Sequence, residues 1–248
     1  MPASNFAIRL RQGQLLIGPI VSLPCADVAA ALSLCGFDWL FLDAEHGPFH
    51  PQEALPLLHA AGNFPCIVRV PAGDDYWIGK ALDSGASGIM VPKVGSAVQA
   101  RDIVARAKYA PQGQRGMGLG RAHGYGTDPG YMQRANLETV VVVQAETKEA
   151  VDNIDEIAAV PGVDAVLIGP NDLAASLGVP GQLEAPVVME AIDQIIAACK
   201  ARNMPVGYFG VTADAVQPMI NKGCTLIAMG VDVLFMVSAA KTQLAKLK

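Results

Sequence analysis

The sequence predicts an α/β protein, a (β/α)8 TIM barrel that forms one domain over residues 1–248. Eight short apolar runs recur along the chain, and most are continuously apolar, as parallel strands buried on both faces are. Amphipathic segments with helix start and stop signals separate these runs. A chain of 248 residues also has the size of such a barrel, which is typically about 250 residues long.

The predicted strands follow one another from one end of the chain to the other. They cover residues 15–22, 39–45, 66–71, 88–94, 139–146, 165–170, 205–210 and 225–231. The predicted helices cover residues 51–61, 75–84, 97–108, 146–160, 186–203, 213–222 and 233–247. Residues 110–130 form a long irregular stretch between the fourth and fifth strands, and loops of this length are often functional.

Local signals mark the helix boundaries. Ser96 and Thr212 each precede a predicted helix, as N-cap residues do, Thr147 lies at the start of another, and glycine follows several of the helices. An open doubly wound sheet is the structural alternative. The turn after the first strand, residues 21–27, lacks the glycine-rich signature that this alternative requires, so the barrel is favoured.

The composition excludes several classes of protein. The chain is 52% hydrophobic and 17% charged, against roughly 25% charged in typical domains. Its longest uncharged runs, 12–26 and 54–68, are shorter than the about 18 apolar residues of a membrane span. A net charge of −5 predicts neither disorder nor a nucleic-acid partner. The amino-terminal residues lack the apolar stretch of a signal peptide, so a cytoplasmic protein is expected.

The cysteines predict a reducing environment. There are five, an odd number, and none stands in a CxxC spacing. We therefore expect reduced, mostly buried thiols rather than a disulfide framework or a zinc site.

Polar residues at the carboxyl ends of the strands are candidates for function, because active sites of TIM barrels lie there. They are Asp43, Glu45, His46, Arg69, Lys93, Gln144, Glu146, Asn171 and Asp172. Glu146 and Asp172 are the candidate metal ligands, since two carboxylates with waters and substrate oxygens suit Mg²⁺ or Mn²⁺. Helix capping is the alternative role of each. Gln144 lies two residues before Glu146 and so on the same strand face.

His46 and Arg69 are the candidate catalytic side chains. A neutral imidazole is a base near pH 7, which makes His46 the candidate general base. Arg69 stands among apolar residues and needs an anionic partner. A substrate oxyanion is the preferred partner, and an ion pair with Asp43 or Glu45 is the alternative, which would make these two carboxylates supporting residues.

Two further features bear on the chemistry. The Gly169–Pro170–Asn171–Asp172 turn precedes a helix, and its backbone N–H groups would bind the substrate carboxylate. Lys93 offers a rival mechanism, since a lysine at a strand end could form a Schiff base with a ketone and dispense with the metal. That mechanism would leave the two carboxylates without a role, so it is the less favoured.

Six segments together resemble the HpcH/HpaI aldolase family, the metal-dependent pyruvate aldolases of the phosphoenolpyruvate/pyruvate barrel superfamily. The segments are residues 37–48 (FDWLFLDAEHGP), 69–71, 83–94 (DSGASGIMVPKV), 109–118, 141–157 and 162–178 (GVDAVLIGPNDLAASLG). The resemblance implies reversible cleavage of a 4-hydroxy-2-oxo acid into pyruvate, or hydroxypyruvate, and an aldehyde. It also implies a divalent metal ion (Mg²⁺, Mn²⁺ or Co²⁺) and no organic cofactor.

The resemblance implies a role for several positions. His46 matches the proton acceptor, Arg69 the arginine that stabilises the enolate, and Glu146 and Asp172 the metal ligands. Gln144, Asn171 and Asp172 match positions that contact pyruvate. Asp83 matches an aspartate that raises the basicity of the histidine, a role that its place near the end of a helix does not suggest. Residues 120–130 depart from the family pattern, which leaves the aldehyde open.

The resemblance also implies a homohexamer, a trimer of dimers, in which subunits exchange the last helix. Residues 231–240, VDVLFMVSAA, independently suggest an interface, because they hold one acidic residue and no clear polar face. Two other functions stay open. One is a citrate-lyase-like or acyl-CoA lyase of the same superfamily, and the other is a non-catalytic barrel that binds an oxo acid.

Overall fold

The computed structural model describes residues 3–248, and at positions 3, 4, 51 and 52 it describes the backbone alone. Eight parallel strands close into a barrel in chain order, and β8 pairs with β1. The strands are β1 (Leu16–Val21), β2 (Leu40–Asp43), β3 (Cys66–Arg69), β4 (Gly88–Val91), β5 (Val140–Ala145), β6 (Ala165–Ile168), β7 (Val206–Gly210) and β8 (Leu226–Val231). Each lies within a predicted strand, so the predicted barrel is confirmed.

Helices surround the strands. They are α1 (Ala3–Arg11), α2 (Ala26–Ser33), α3 (Pro51–Ala61), α4 (Asp75–Asp83), α5 (Ala97–Ala107), α6 (Tyr131–Glu138), α7 (Lys148–Asp152), α8 (Ile154–Ile157), α9 (Pro170–Ser176), α10 (Pro186–Ala201), α11 (Ala213–Asn221) and α12 (Asp232–Leu244). A 3₁₀ helix, Arg121–Gly126, lies in the stretch that was predicted to be irregular.

The helix predictions were wrong in a few places. The single helix predicted over 146–160 is two short helices, α7 and α8, that meet at Asn153. The Asn153 side chain donates a hydrogen bond to the Gly95 carbonyl at 2.8 Å, and its backbone leaves the helical conformation (ψ 11°). Helices α1, α2 and α6 were not predicted from the sequence.

Two hydrophobic layers hold the barrel together. The inner layer fills the barrel with side chains such as Leu16, Trp39, Ile67 and Val142. Helix α1 adds buried side chains of its own to this layer and so closes the amino-terminal end of the barrel. The outer layer lies between the strands and the surrounding helices. The open end of the barrel is therefore the carboxyl end of the strands.

Helix α12 differs from the other long helices, because Asp232 at its first position is its only buried residue. Phe235 stacks on Phe37 with ring centroids 6.4 Å apart, while Leu234, Met236 and Val237 are exposed. The predicted apolar patch on the last helix is therefore present.

The cysteines are free thiols and mostly buried, as the sequence predicts. All five cysteines are free thiols; Cys66, Cys199 and Cys224 are buried, and the other two are exposed. Burial raises the pKa of each buried thiol to about 12.

Within residues 3–248, no helix has the length and apolarity needed to cross a membrane.

Candidate active site

A cavity of about 200 Å³ opens at the carboxyl end of the strands and gathers most of the predicted site residues. Its polar lining is His46, Arg69, Gln144, Glu146, Asn171 and Asp172, with Gly169 and Pro170. Its apolar lining is Ile20, Phe41, Leu167 and Phe209. These apolar residues were not among those predicted from the sequence. The alternation of side chains along a strand could have predicted two of them, because Phe41 lies two residues before Asp43 and Leu167 two before Gly169, on the same face of each strand.

Asp43, the last residue of β2, organises the turn that follows it. It is 4% exposed, and its Oδ1 accepts hydrogen bonds from the backbone N–H groups of Glu45 and His46, both at 3.2 Å. These bonds fix the directions in which the next two side chains leave the strand. The His46 side chain is 62% exposed, and its Nε2 lies 3.8 Å from Glu45 Oε2.

Arg69 forms the ion pairs that the sequence left as an alternative. Strand register places Asp43 beside Arg69, and Arg69 Nε and Nη2 donate to the two oxygens of Asp43 at 2.9 and 2.7 Å. Its Nη1 lies 3.2 Å from Glu45 Oε2, and its guanidinium lies over the Phe41 ring. Burial lowers the pKa of Arg69, but the hydrogen bonds and charges of these carboxylates outweigh that effect and raise it.

Arg69 nevertheless lines the cavity. A guanidinium has five N–H donors, and Nε and Nη2 each use one in the hydrogen bonds to Asp43. Three donors therefore remain, two of them on Nη1, which faces Glu45. Its role toward the substrate stays a prediction.

Glu146 is the most deeply buried carboxylate of the site, at 1% exposure. Its Oε1 accepts the backbone N–H of Lys93 at 2.9 Å, and its Oε2 accepts Gln144 Nε2 at 2.8 Å. Burial raises the pKa of Glu146 to about 7, and the charges of Asp172 and Glu45 act in the same direction. The predicted shared face of Gln144 and Glu146 is thus confirmed.

Residues 169–172 begin helix α9 and face Glu146. Gly169 is the N-cap, and a Cβ at this position would clash with Glu146 Oε2. Pro170 at the first helical position has no N–H group, while the N–H groups of Asn171 and Asp172 lack acceptors within the helix. The side chains of both residues are exposed at the rim of the cavity.

The chemistry of these residues fits a hard divalent cation. Glu146 takes part in none of the ion pairs of the described residues, although it is buried. Gln144 Oε1 is also buried and has no hydrogen-bond partner there. No group of three or more potential metal-ligating side chains occurs among residues 3–248. Glu146 and Asp172 would thus supply two carboxylates, and water and substrate oxygens would complete the coordination.

Asp83 does not join this site within one chain. It ends α4, and its Oδ1 accepts a hydrogen bond from Arg115 Nη2 at 2.7 Å. It lines a different cavity, of about 610 Å³, together with Arg106, Lys80 and other residues. The implied contact between Asp83 and His46 is therefore absent from the single chain.

Lys93 and the three other histidines lie at the margin of the cavity or away from it. Lys93 is not among the residues that line the cavity, and its Nζ lies 3.3 Å from Glu45 Oε1 with 60% of the side chain exposed. His59 faces the Tyr125 hydroxyl at 3.4 Å, and His123 packs on the Tyr131 ring. The backbone of His50 caps α3 through Glu53. None of these histidines lines the cavity.

Comparison with known proteins identifies relatives over nearly the whole chain. The family model described as HpcH/HpaI aldolase/citrate lyase matches residues 21–239. The hydroxypyruvate/pyruvate aldolase of Sagittula stellata is 39% identical over 99% of this chain and 98% of its own length. The 4-hydroxy-2-oxovalerate aldolase of Novosphingobium aromaticivorans is 38% identical over 93% of this chain and 89% of its own.

Solved structures give the same result. The crystal structure of an HpcH/HpaI aldolase/citrate lyase family protein from Burkholderia cenocepacia J2315 superposes with a TM-score of 0.95 and is 34% identical. The match covers 98% of this chain and 99% of that one. Sequence and backbone therefore point to the same group of proteins.

Proposed function

The chain belongs to the HpcH/HpaI aldolase/citrate lyase family, and on that premise we propose that it is a metal-dependent pyruvate aldolase. The reaction is reversible cleavage of a 4-hydroxy-2-oxo acid into pyruvate, or hydroxypyruvate, and an aldehyde. The observation that carries the proposal is the buried, unpaired carboxylate of Glu146, which shares one cavity with Asp172, His46 and Arg69.

The cavity residues divide into a metal side and a proton-transfer side. Glu146 and Asp172 would hold a divalent cation, Mg²⁺, Mn²⁺ or Co²⁺, which when bound supplies a Lewis acid for the 2-keto oxygen. The backbone N–H groups of Asn171 and Asp172 bind the substrate carboxylate, since they lack acceptors within α9. Gln144 Oε1, which is buried and has no partner within the described residues, would accept a hydrogen bond from a substrate or water donor.

His46 and Arg69 supply the proton transfer and the stabilisation of charge. The His46 imidazole takes the proton of the 4-hydroxyl group as the C3–C4 bond breaks. Glu45 Oε2, 3.8 Å from His46 Nε2, stabilises the imidazolium that forms. The remaining N–H donors of Arg69 stabilise the negative charge that develops on the enolate oxygen. If Asp83 raises the basicity of His46, it does so on a neighbouring subunit.

Two measurements test the proposal. NMR of pyruvate in D₂O with Mn²⁺ or Mg²⁺ is expected to show exchange of the methyl protons for deuterium, because enolisation is half of the aldol reaction. A protein that only binds the oxo acid would show binding without exchange. EDTA is expected to abolish the exchange and added metal to restore it. Full activity in chelator would overturn the metal assignment and favour a Schiff base on Lys93.

We further propose a cytoplasmic homohexamer, a trimer of dimers, with the last helix at an interface. The exposed apolar side chains of α12, among them Leu234, Met236 and Val237, support this proposal. Analytical ultracentrifugation is expected to give six times the chain mass of 25.9 kDa. A monomer of 25.9 kDa would contradict it.

A further inference from the structure

Lys93 touches two carboxylates of the site from its two ends. Its backbone N–H donates to Glu146 Oε1 at 2.9 Å, and its Nζ lies 3.3 Å from Glu45 Oε1. Its φ angle is +56°, in the left-handed region that a residue with a long side chain rarely adopts. Such a backbone persists only where surrounding contacts hold it, and it is typical of functional sites.

Glu45 is the group through which Lys93 reaches the chemistry. The Glu45 side chain is 9% exposed, and its two oxygens face different partners. Oε2 lies 3.2 Å from Arg69 Nη1 and 3.8 Å from His46 Nε2, whereas Oε1 faces Lys93. The Lys93 ammonium thus holds one oxygen of Glu45 while the other faces the two catalytic candidates, so it restrains the orientation of the carboxylate.

We propose that Lys93 is a positioning residue for proton transfer: its ammonium orients the Glu45 carboxylate toward His46 and Arg69. This role rests on the proposed aldolase function. The ammonium itself is not a substrate ligand in this arrangement, because it is paired with Glu45 and does not line the cavity.

Substitutions of Lys93 can distinguish the role of its ammonium from that of its backbone N–H. Lys93→Met keeps the Cβ, an unbranched side chain of nearly the same length and the backbone N–H on Glu146, and it removes the ammonium. Lys93→Arg keeps a cation. A matched control is Lys222→Met, since Lys222 pairs with Asp193 at 2.5 Å on the helices outside the barrel.

Steady-state cleavage of a 4-hydroxy-2-oxo acid gives the first readout. Lys93→Met is expected to lower kcat about fivefold with KM within about twofold, the size of effect that a partly exposed ion pair can exert. Lys93→Arg is expected to recover kcat to within about twofold of wild type, and Lys222→Met to leave both constants unchanged. Wild-type kcat in Lys93→Met would overturn the proposal, whereas an inactive wild-type enzyme would first overturn the aldolase function.

A double-mutant cycle with Glu45→Gln gives the second readout. If Lys93 acts through Glu45, removing its ammonium has no further effect once the Glu45 charge is gone, so the two effects on kcat are not additive. Additive effects would overturn the proposal. The Mn²⁺ affinity of Lys93→Met, measured by calorimetry without substrate, is expected to equal that of wild type. A tenfold weaker affinity would locate the effect at Glu146 and would also overturn it.

Discussion

The two ends of the barrel surround their buried charges differently. At the amino-terminal end, Arg11 pairs with Asp164 at 2.7 Å, and the second oxygen of Asp164 accepts the backbone N–H of Val141. Buried Lys108 donates to the carbonyl of Asn136 at 2.8 Å and to that of Thr139. At the carboxyl end, Glu146 has no ion pair among the described residues. Buried Lys108 at the closed end and Glu146 at the open end thus both have hydrogen bonds but no ion pair within residues 3–248, and Glu146 alone lines the cavity at the carboxyl end of the strands.

This difference indicates which end of the barrel contributes mainly to activity and which mainly to the free energy of unfolding. Unpaired buried polar groups and strained backbone cost free energy, so they persist at sites that need them for binding or catalysis. Gln144 Oε1 and the positive φ of Lys93 lie beside Glu146 at the open end, whereas Trp39 Nε1 and Thr225 Oγ1, which also lack partners in the described part of the chain, lie where β2 and β8 begin. Helix α1, in contrast, packs Phe6 and Leu10 into the closed end. Substitutions at the open end should therefore change activity most, and those at the closed end stability.

The largest expected effect is that of Glu146→Gln. The change removes the buried charge, and we expect kcat to fall by about 10³, at the upper end of what losing one electrostatic group costs. The metal-free variant should melt at or above the wild-type temperature, because burying a neutral amide costs less than burying an unpaired carboxylate. Steady-state kinetics and differential scanning calorimetry measure the two effects.

Glu156→Gln, on the exposed face of α8, is the matched control and should leave both quantities unchanged. A Glu146→Gln enzyme with more than a tenth of the wild-type kcat would show that the unpaired carboxylate is not needed for the reaction. The contrast between the two ends would then lose its functional meaning.

Arg69→Ala should affect activity and stability together. It removes the candidate stabiliser of the enolate, with an expected fall in kcat of about 10²–10³. It also leaves Asp43, 4% exposed, without its charged partner, which costs about 3–5 kcal/mol. Urea unfolding measures this loss. Unchanged stability would show that the Asp43 charge is compensated by its backbone donors, the N–H groups of Glu45 and His46.

The sequence predicts the barrel and which residues line the cavity better than it predicts which of these residues contact one another. Continuously apolar runs locate the strands, and the two-residue period places Gln144 beside Glu146. The pairing of Arg69 with Asp43 depends on the register between β2 and β3, which no local pattern encodes. The position of Asp83 depends in the same way on how α4 packs.

Lys108→Met tests the closed end through the pH dependence of stability. Burial lowers the pKa of Lys108 to about 8, below its value of 10.5 in an unfolded chain. Between these pH values the unfolded state binds more protons, so wild-type stability rises with pH, by up to about 3 kcal/mol. Lys108→Met should lose this rise and keep its kcat, as urea unfolding at pH 7.5 and 10 and kinetics at pH 7.5 would show. An equal rise in the variant would assign it to other groups.

The smallest expected effect is that of Thr212→Ala, which asks whether lying at the open end is sufficient for a role in catalysis. Thr212 follows β7 at that end, but its Oγ1 accepts the backbone N–H of Ala215 at 3.2 Å and caps α11. Losing the cap should cost about 1 kcal/mol in urea unfolding and leave kcat/KM within about twofold of wild type. A tenfold fall in kcat/KM would bring the β7–α11 loop into the site. An unchanged kcat/KM would show that a position at the open end is not sufficient for a role in catalysis. Catalysis would then depend on the strand ends that line the cavity.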